Sequence, residues 1–425
     1  MLDPRMLADR REEIAESCRR RGLQVDLDAA IAARERVASL QTELQEWNRQ
    51  RKEHQASGKR KLSPEEREAH NAEGRRIKDE ASAVESRLAE AEAELRECML
   101  DIPNLVHPDV PVGGEEDFRE LRRVGKAQEL DFEPKDHLTL AESLDLVDFD
   151  AGTRVTGQKF YFLKREAAFL ELALQRFALD IAVEAGFVPH VTPDLARRQM
   201  VDAMAFNPRG EETQIYSIAD SELDLIGTAE ITLGGIHADS LLEESELPIR
   251  LAGLSHCFRT EAGAHGRESR GLYRVHQFTK VELFAFTRPE DSEAMHEEML
   301  RIEERIFSDL EIPYRVIDVA SGDLGAPAYR KYDIEAWMPG RGEGGLYGEV
   351  TSTSNCTNFQ ARRLKTRFRR TDKKGGELVH TLNGTALANS RALVALLENH
   401  QQADGGIAIP KALRPYTGFD RIGPR

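Results

Sequence analysis

Long apolar runs are missing from this 425-residue chain. No stretch approaches the roughly 20 apolar residues that a membrane-spanning helix needs, so no membrane partner is expected. The opening MLDPRMLADRREE has no apolar core region, which reads against a secretory signal. Cysteine is scarce as well. Cys18, Cys98, Cys257 and Cys356 are the only four, widely separated and without a C-x-x-C pair, which excludes a disulfide framework and a structural zinc site. A cytoplasmic location without zinc is the expectation. Net positive charge is also lacking: the formal balance is −16, so nucleic acid could be bound only through a local basic patch. Neither a G-x-x-x-x-G-K-[ST] loop nor a dinucleotide fingerprint occurs, and any nucleotide site must use another device.

What is present describes an ordinary soluble protein, 40% apolar and 32% charged, long enough for two domains. From about residue 27 to 100 it reads as two long helices. Val37, Leu40, Leu44 and Trp47 are spaced 3, 4, 3, and Ile77, Ala81, Val84, Leu88, Ala91 and Leu95 are spaced 4, 3, 4, 3, 4. That is a heptad seam on both partners. Between them Gly58 can turn the chain, and Ser63, Pro64 and Glu66 form a capping-box start. An antiparallel hairpin about 50 Å long follows from roughly 1.5 Å of rise per residue. Between Arg49 and Lys61 stand six basic residues against one acidic. A solvated charged face would explain such a run, and so would contact with a phosphate backbone.

Three prolines and a Gly-Gly pair in LDIPNLVHPDVPVGGEED end this region, dividing the chain into residues 1–112 and 113–425. Beyond it, helical stretches (164–185, 290–310 and 389–402) alternate with short strands such as LDLIGTAEI, LPIRLAGLSHCF, LYRVHQFTKVELFAF, IPYRVIDVA and GGLYGEVTSTSNC. Strands joined by loops rather than regular helical crossovers predict an α+β fold on an antiparallel sheet.

One stretch concentrates chemistry. FRTEAGAHGRESRGLYRVHQFTKVELF gathers Arg259, Arg267, Arg270 and Arg274 around three glycines, with Glu261 and Glu282 close by. Guanidinium forks match phosphate oxygens two at a time, so such a loop suits a polyphosphate. Read as two strands, it places Arg259 with Glu261 on one face of the first, and Arg274, His276, Phe278, Lys280 and Glu282 on one face of the second, which a hairpin could bring onto a single surface. Singly, each has a plain explanation in a sheet-face salt bridge or a core aromatic; together they point to a site.

The run F-R-T-E-A-G, then R-G, then R-V-H-Q-F-x-K-V-E resembles motif 2 of the seryl-tRNA synthetases, a family of class II aminoacyl-tRNA synthetases. GFVPHVTP resembles motif 1, with Pro193 as its proline, and HTLNGTALANSRALVALLENHQ resembles motif 3, with Arg391 as its arginine. IGTAEI is similar to the family's T-x-E loop, and EVTSTSNCTNFQARR to the segment before motif 3. The basic-tipped hairpin resembles the family's tRNA-binding arm.

The resemblance implies an ATP-dependent, homodimeric enzyme that activates L-serine and charges tRNA(Ser), and also tRNA(Sec). It implies residues 1–112 as the tRNA-binding domain and 113–425 as the catalytic domain. Catalytic roles fall to Arg259, Arg274 and Arg391. ATP contacts fall to these with Thr260, Glu261, Val275, Phe278, Glu349, Val350, Thr351 and Ser352. In detail, Arg259 would hold the α-phosphate and the attacking carboxylate, Glu261 the adenine amino group, and Arg274 the γ-phosphate, while Phe278 and Arg391 sandwich the adenine ring. Glu349 and Ser352 match Mg2+ positions. Thr228, Ala229, Glu230, Glu282 and Thr385 match the serine pocket, and Arg51, Lys52, Lys59, Arg60 and Lys61 the tRNA-gripping tip.

There are departures. MAFNPRGEETQIY and EDFRELRRVG differ from the family's usual stretches, and Thr260 and Thr385 stand where serine is also common. Three other readings are open: a ligase loading a carrier protein, whose relatives lack the arm; a non-catalytic paralogue, which would have lost a motif arginine or carboxylate; and a duplicate protecting against a serine-adenylate antibiotic. The zinc-dependent branch of the family is disfavoured by the cysteine pattern and by the arm.

Overall fold

The computed structural model describes residues 1–59, 63–127, 130–206, 214–262 and 271–424. They form two compact units, Met1–Leu105 and Val106–Arg425.

In the first unit, short helices Met6–Asp9 and Arg11–Arg20 precede the two long ones, Leu27–Ser57 and Pro64–Leu100. Each long helix starts on a cap that satisfies otherwise orphan amides. Asp26 accepts from the Ala29 amide at 2.9 Å. Ser63 Oγ accepts from the Glu66 amide at 3.2 Å, and the Glu66 carboxylate accepts from the Ser63 amide at 2.8 Å. The seam is the predicted one: Val37, Leu40, Val84 and Ala91 are buried, with Leu44, Trp47, Leu88 and Leu95 packed against them. Exposed ion pairs cross it, Arg36 with Glu94 at 2.5 Å and Arg87 with Glu43 at 2.7 Å. Such pairs contribute about 0–1 kcal/mol each, so apolar burial dominates.

Residues 106–112, grouped by sequence with the first region, pack here with the second unit. Val106 and Val110 bury against Ile317, Val319, Leu324 and Ala328. The centre of this unit is an eight-stranded sheet of β1 (Arg119–Val124), β2 (Val188–Val191), β3 (Ile249–Phe258), β4 (Gln277–Thr287), β5 (Tyr314–Asp318), β6 (Arg330–Met338), β7 (Leu346–Asn355) and β8 (His380–Ala388). The spatial order is β1-β5-β6-β7-β8-β4-β3-β2. All pairs are antiparallel except the edge pair β2 with β3, which is parallel. Helices Glu166–Glu184, Ser292–Asp309 and Asn389–Asn399 lie within two to three residues of the predicted stretches and contribute to one large apolar core with the strands.

Some local expectations are corrected. LDLIGTAEI is a strand only at Leu223–Leu225, and Glu230 instead opens the helix Glu230–Gly235. The motif 2 ladder stops at the pair Phe258 and Gln277, so Arg259 and Glu261 on one side and Arg274 and His276 on the other lie beyond the strands. Strand β6 was not among the expected strands, although Tyr332, Ile334, Ala336 and Met338 alternate with Lys331, Asp333, Glu335 and Trp337 as a half-buried strand does.

Two substitutions separate the forces in the hairpin. Leu40→Ala should cost about 2–3 kcal/mol, and Arg87→Ala no more than about 1 kcal/mol, read by hydrogen exchange of the hairpin amides in the full chain. Equal losses would contradict the dominance of the apolar seam.

Candidate active site

Strands β4, β7 and β8, with the loops at their ends, wall an open cleft of about 150 Å³. On one side Phe278 stands with Arg259, whose guanidinium lies 5.4 Å from the Phe278 ring centre and 5.7 Å from that of Phe206. Arg259 Nε donates to the Gly227 carbonyl at 3.3 Å. Although the ladder has ended, one more bond keeps Arg259 in place, from its amide to the His276 carbonyl at 2.9 Å. Glu261 has φ of 51° and pairs with Arg274 at 3.0 Å. Arg391 pairs with Glu349 at 2.9 Å, and its guanidinium lies 4.9 Å from the Tyr273 ring centre. Tyr273 is itself tied down, its hydroxyl donating to the Glu349 carbonyl at 2.9 Å.

Two β-bulges shape the wall. Glu349 and Ser352 are three residues apart and would face opposite ways on a regular strand. An irregularity in β7, where Thr351 faces Ile334 and Glu349 faces Glu335, restores them to one side. A second, between Thr385 and Leu387 opposite β4, does the same for Thr385 and Ala388.

The floor is acidic and buried. Glu282, 2% exposed, pairs at 2.5 Å with Lys280, and the Thr385 hydroxyl donates to Glu282 at 3.3 Å. Lys280 also donates to Thr385 Oγ1 at 3.4 Å. Glu230 accepts from Gln360 Nε2 at 2.6 Å and from Asn383 Nδ2 at 2.9 Å. Burial, with the Glu282 charge next, pushes the Glu230 carboxyl up to about 7. Burial also raises Glu282, against the opposing pull of Lys280. Glu349 goes the other way: burial would raise it, but Arg391 and Lys331 outweigh burial and hold it below the usual range.

The far end of the motif 2 loop is fixed by a buried pair. Glu398, from the helix Asn389–Asn399, accepts from His137 Nδ1 at 3.1 Å, and His137 Nε2 accepts from the Leu272 amide at 3.2 Å. Gly271 has φ of 93°, and a Cβ there would lie 2.3 Å from His137 Nε2, so only glycine fits. This clamp sets the residues that lead into Tyr273 and Arg274.

Of the predicted residues, Arg259, Glu261, Arg274, Val275, Phe278, Glu349, Val350, Thr351, Ser352 and Arg391 line this one cleft. So do Thr228, Glu230, Glu282 and Thr385. Ala229 does not: it is fully buried, packed under β3 beside Gly253. Thr260 also stands off the wall, its amide bonded to the Gln214 carbonyl. His276, expected to share a face with Phe278, instead packs between the rings of Phe160 and Tyr216. Sequence reading missed Phe206, Tyr273, Asn383, Ala388 and Ser390, and assigned no role to Lys280. Arg51, Lys52 and Lys59 are exposed at the end of the hairpin, whereas Arg60, Lys61, Arg267 and Arg270 lie outside the described residues. Among the described residues, no group of three or more His, Cys, Asp or Glu side chains is placed to hold a metal ion, and no helix is long and apolar enough to cross a membrane.

Comparison with known proteins agrees with this architecture. Residues 215–400 match the model of the tRNA synthetase class II core domain shared by the glycine, histidine, proline, serine and threonine enzymes, which makes the chain a class II aminoacyl-tRNA synthetase by fold and site. Residues 1–106 match the seryl-tRNA synthetase N-terminal domain. The chain is 53% identical to a serine--tRNA ligase of Treponema denticola, with all of both chains covered. It is 54% identical to those of Rhodopirellula baltica, covering 99% of each chain, and Rubrobacter xylanophilus, covering 100% of this chain and 99% of that one. The crystal structure of seryl-tRNA synthetase from Pyrococcus horikoshii complexed with ATP superposes with a TM-score of 0.90 at 39% identity, over the full length of both chains. This chain belongs to the seryl-tRNA synthetase family.

The buried floor can be titrated directly. Carboxyl infrared absorption should show, beside the Asp333 carboxyl that burial also pushes up to about 7, a second group with a midpoint of about 7, protonated below and ionised above, that disappears in Glu230→Gln. Persistence of that group in the variant would contradict its assignment to Glu230.

Proposed function

We propose that this chain joins L-serine to ATP, forming seryl-adenylate and pyrophosphate, and then passes the seryl group to the 3′ end of tRNA(Ser) and of tRNA(Sec). One observation carries the reading: the residues matching an ATP site and those matching a serine site surround a single cleft, in a chain whose relatives share its full length. The carrier-protein and non-catalytic alternatives are not favoured by that full-length similarity, which includes the arm.

In the first step a serine carboxylate oxygen bonds to the α-phosphorus, and the bond to the bridging oxygen breaks as pyrophosphate departs. Both reactants are anions, so the protein's task is to place cations and align the partners; it needs no nucleophile of its own. Arg259 serves the α-phosphate and the attacking carboxylate together. Phe278, beneath the Arg259 guanidinium, and Arg391 flank the adenine ring, and Glu261 accepts from the adenine amino group. Arg274 takes the γ-phosphate. Glu349 and Ser352, brought to one side by the β7 bulge, would hold Mg2+ through the hard oxygen donors that suit it. The ion, when bound, offsets charge on the phosphates.

Thr228 and Glu230 meet the serine ammonium, and Glu282 with Thr385 meets the ammonium and hydroxyl. Alanine would leave these buried polar groups unpaired, the condition under which discrimination reaches several orders of magnitude. In the second step a ribose hydroxyl of the tRNA attacks the acyl carbon and AMP leaves, an adenylate phosphate oxygen receiving the hydroxyl proton.

The tRNA is gripped by the hairpin's basic end, through backbone and shape. A second copy of the chain completes the enzyme. Phe169 and Leu172 on the helix Glu166–Glu184, 60% and 62% exposed, and Val188 and Val191 on the edge strand β2, 55% and 83% exposed, are the exposed apolar side chains that support this dimer.

Glu282→Gln should lower kcat/KM for serine about 10²- to 10³-fold in serine-dependent ATP–pyrophosphate exchange, with KM for ATP within a few-fold of the parent. Unchanged exchange would count against the assignment. Replacing Arg51, Lys52 and Lys59 together by alanine should weaken tRNA charging and reduce its salt dependence by about three phosphate contacts, while sparing the exchange reaction. Equal loss of both activities would refute the division between arm and cleft.

A further inference from the structure

Beyond Arg274 and Arg391 the cleft continues toward the turn between β6 and β7, into a second chamber that also includes Tyr273, Glu349 and Arg341. Arg259 lines the first chamber and not the second; Arg341 lines the second and not the first, and also a smaller hollow beside His137 and Glu398. Arg341 comes from the turn PGRGEGG, where Gly342, Gly344 and Gly345 all have positive φ. Its amide is held by the Met338 carbonyl at 3.2 Å, and its side chain folds back over the sheet. The guanidinium lies 4.5 Å from the Tyr273 ring centre and donates to the Tyr347 carbonyl at 3.4 Å. Two arginines from separate elements, Arg391 and Arg341, therefore lie over one tyrosine ring whose hydroxyl is anchored to β7.

Position 348 explains how this is possible. It is a glycine within a regular part of β7, paired with Ala336, where the backbone makes no demand for one. A Cβ there would lie 2.1 Å from Arg341 Nη1, well inside contact distance. The missing side chain is the space that the guanidinium fills. The surrounding wall is largely acidic, with Asp323, Asp333, Glu335 and Glu349, and Arg315 is already committed to Glu335.

We propose that Arg341 is a pyrophosphate-binding residue, holding the β- and γ-phosphates of ATP and then the departing pyrophosphate. The inference rests on the serine-activating reading above. With Arg259 at the α-phosphorus, the rest of the triphosphate runs past Arg274 and Arg391 into the second chamber, which both of these arginines also line, and Arg341 stands there. A fork geometry suits terminal phosphate oxygens.

The test uses the full-length protein. Arg341→Ala should raise KM for ATP and KM for pyrophosphate, the latter measured as pyrophosphorolysis of seryl-adenylate, about 10- to 100-fold, and leave inhibition by AMP unchanged, since AMP lacks both distal phosphates. Gly348→Ala should reproduce this loss by displacing the guanidinium, and the double variant should be no worse than Arg341→Ala alone. An unchanged KM for pyrophosphate in Arg341→Ala, or an equal weakening of AMP, would overturn the inference while leaving the serine reading intact. Absence of serine-dependent exchange in the parent protein would overturn both.

Discussion

The ion pair between Lys280 and Glu282 is the contact around which the cleft is organised. Both side chains are almost wholly buried, on adjacent same-face positions of a strand flanked by β3 and β8. A buried pair is poor evidence for stability, because desolvating two charges costs about as much as their attraction returns. Removing one partner is another matter, at roughly 3–5 kcal/mol, because the survivor is left charged in a low-dielectric site. Lys280 therefore opposes burial, which pushes the Glu282 carboxyl up at the bottom of this pocket. Glu230, close by but held only by neutral amides, is pushed up to about 7. Burial raises both glutamates of this floor, but one faces an ammonium and the other neutral amides.

Above that floor the arginines are each held by a carboxylate or a ring. Arg391 rests on Glu349, Arg274 on Glu261, and Arg259 on the face of Phe278. Cations placed in advance need not reorganise when charge builds at phosphorus, and this is the main economy available to a reaction between anions. The two β-bulges belong to the same economy, since they bring side chains at offset three onto one face without lengthening any strand.

Much of this was legible in the sequence because the signals are local. The heptad seam and the capping box at Ser63 are fixed by spacing alone, and both helices form where that spacing places them. The motif runs marked Arg259, Glu261, Arg274, Glu282 and Arg391, and all five line one cleft. What escaped depends on contacts distant in sequence. Tyr273 matters because Glu349, Arg391 and Arg341 converge on it, and no period marks that. Lys280 read as one more charge on a strand face until Glu282 and Thr385 were seen against it. Ala229 sits inside the T-x-E loop, yet its own side chain turns into the core, because Thr228 and Glu230 occupy the two directions that face the cleft. The end of the motif 2 ladder at Phe258 was equally hidden, since alternation continues in the sequence after the hydrogen bonds stop.

The bond between Arg274 and Glu261 has an implication for the order of events at the nucleotide. Before ATP arrives, the group proposed to read the base and the group proposed to read the last phosphate satisfy each other. A ligand carrying only one of the two features would break that bond and leave one partner stranded in a half-buried setting. A ligand with both replaces it at each end. The pair works as a lock with two keyholes, opened economically only when purine edge and terminal phosphate come on the same molecule.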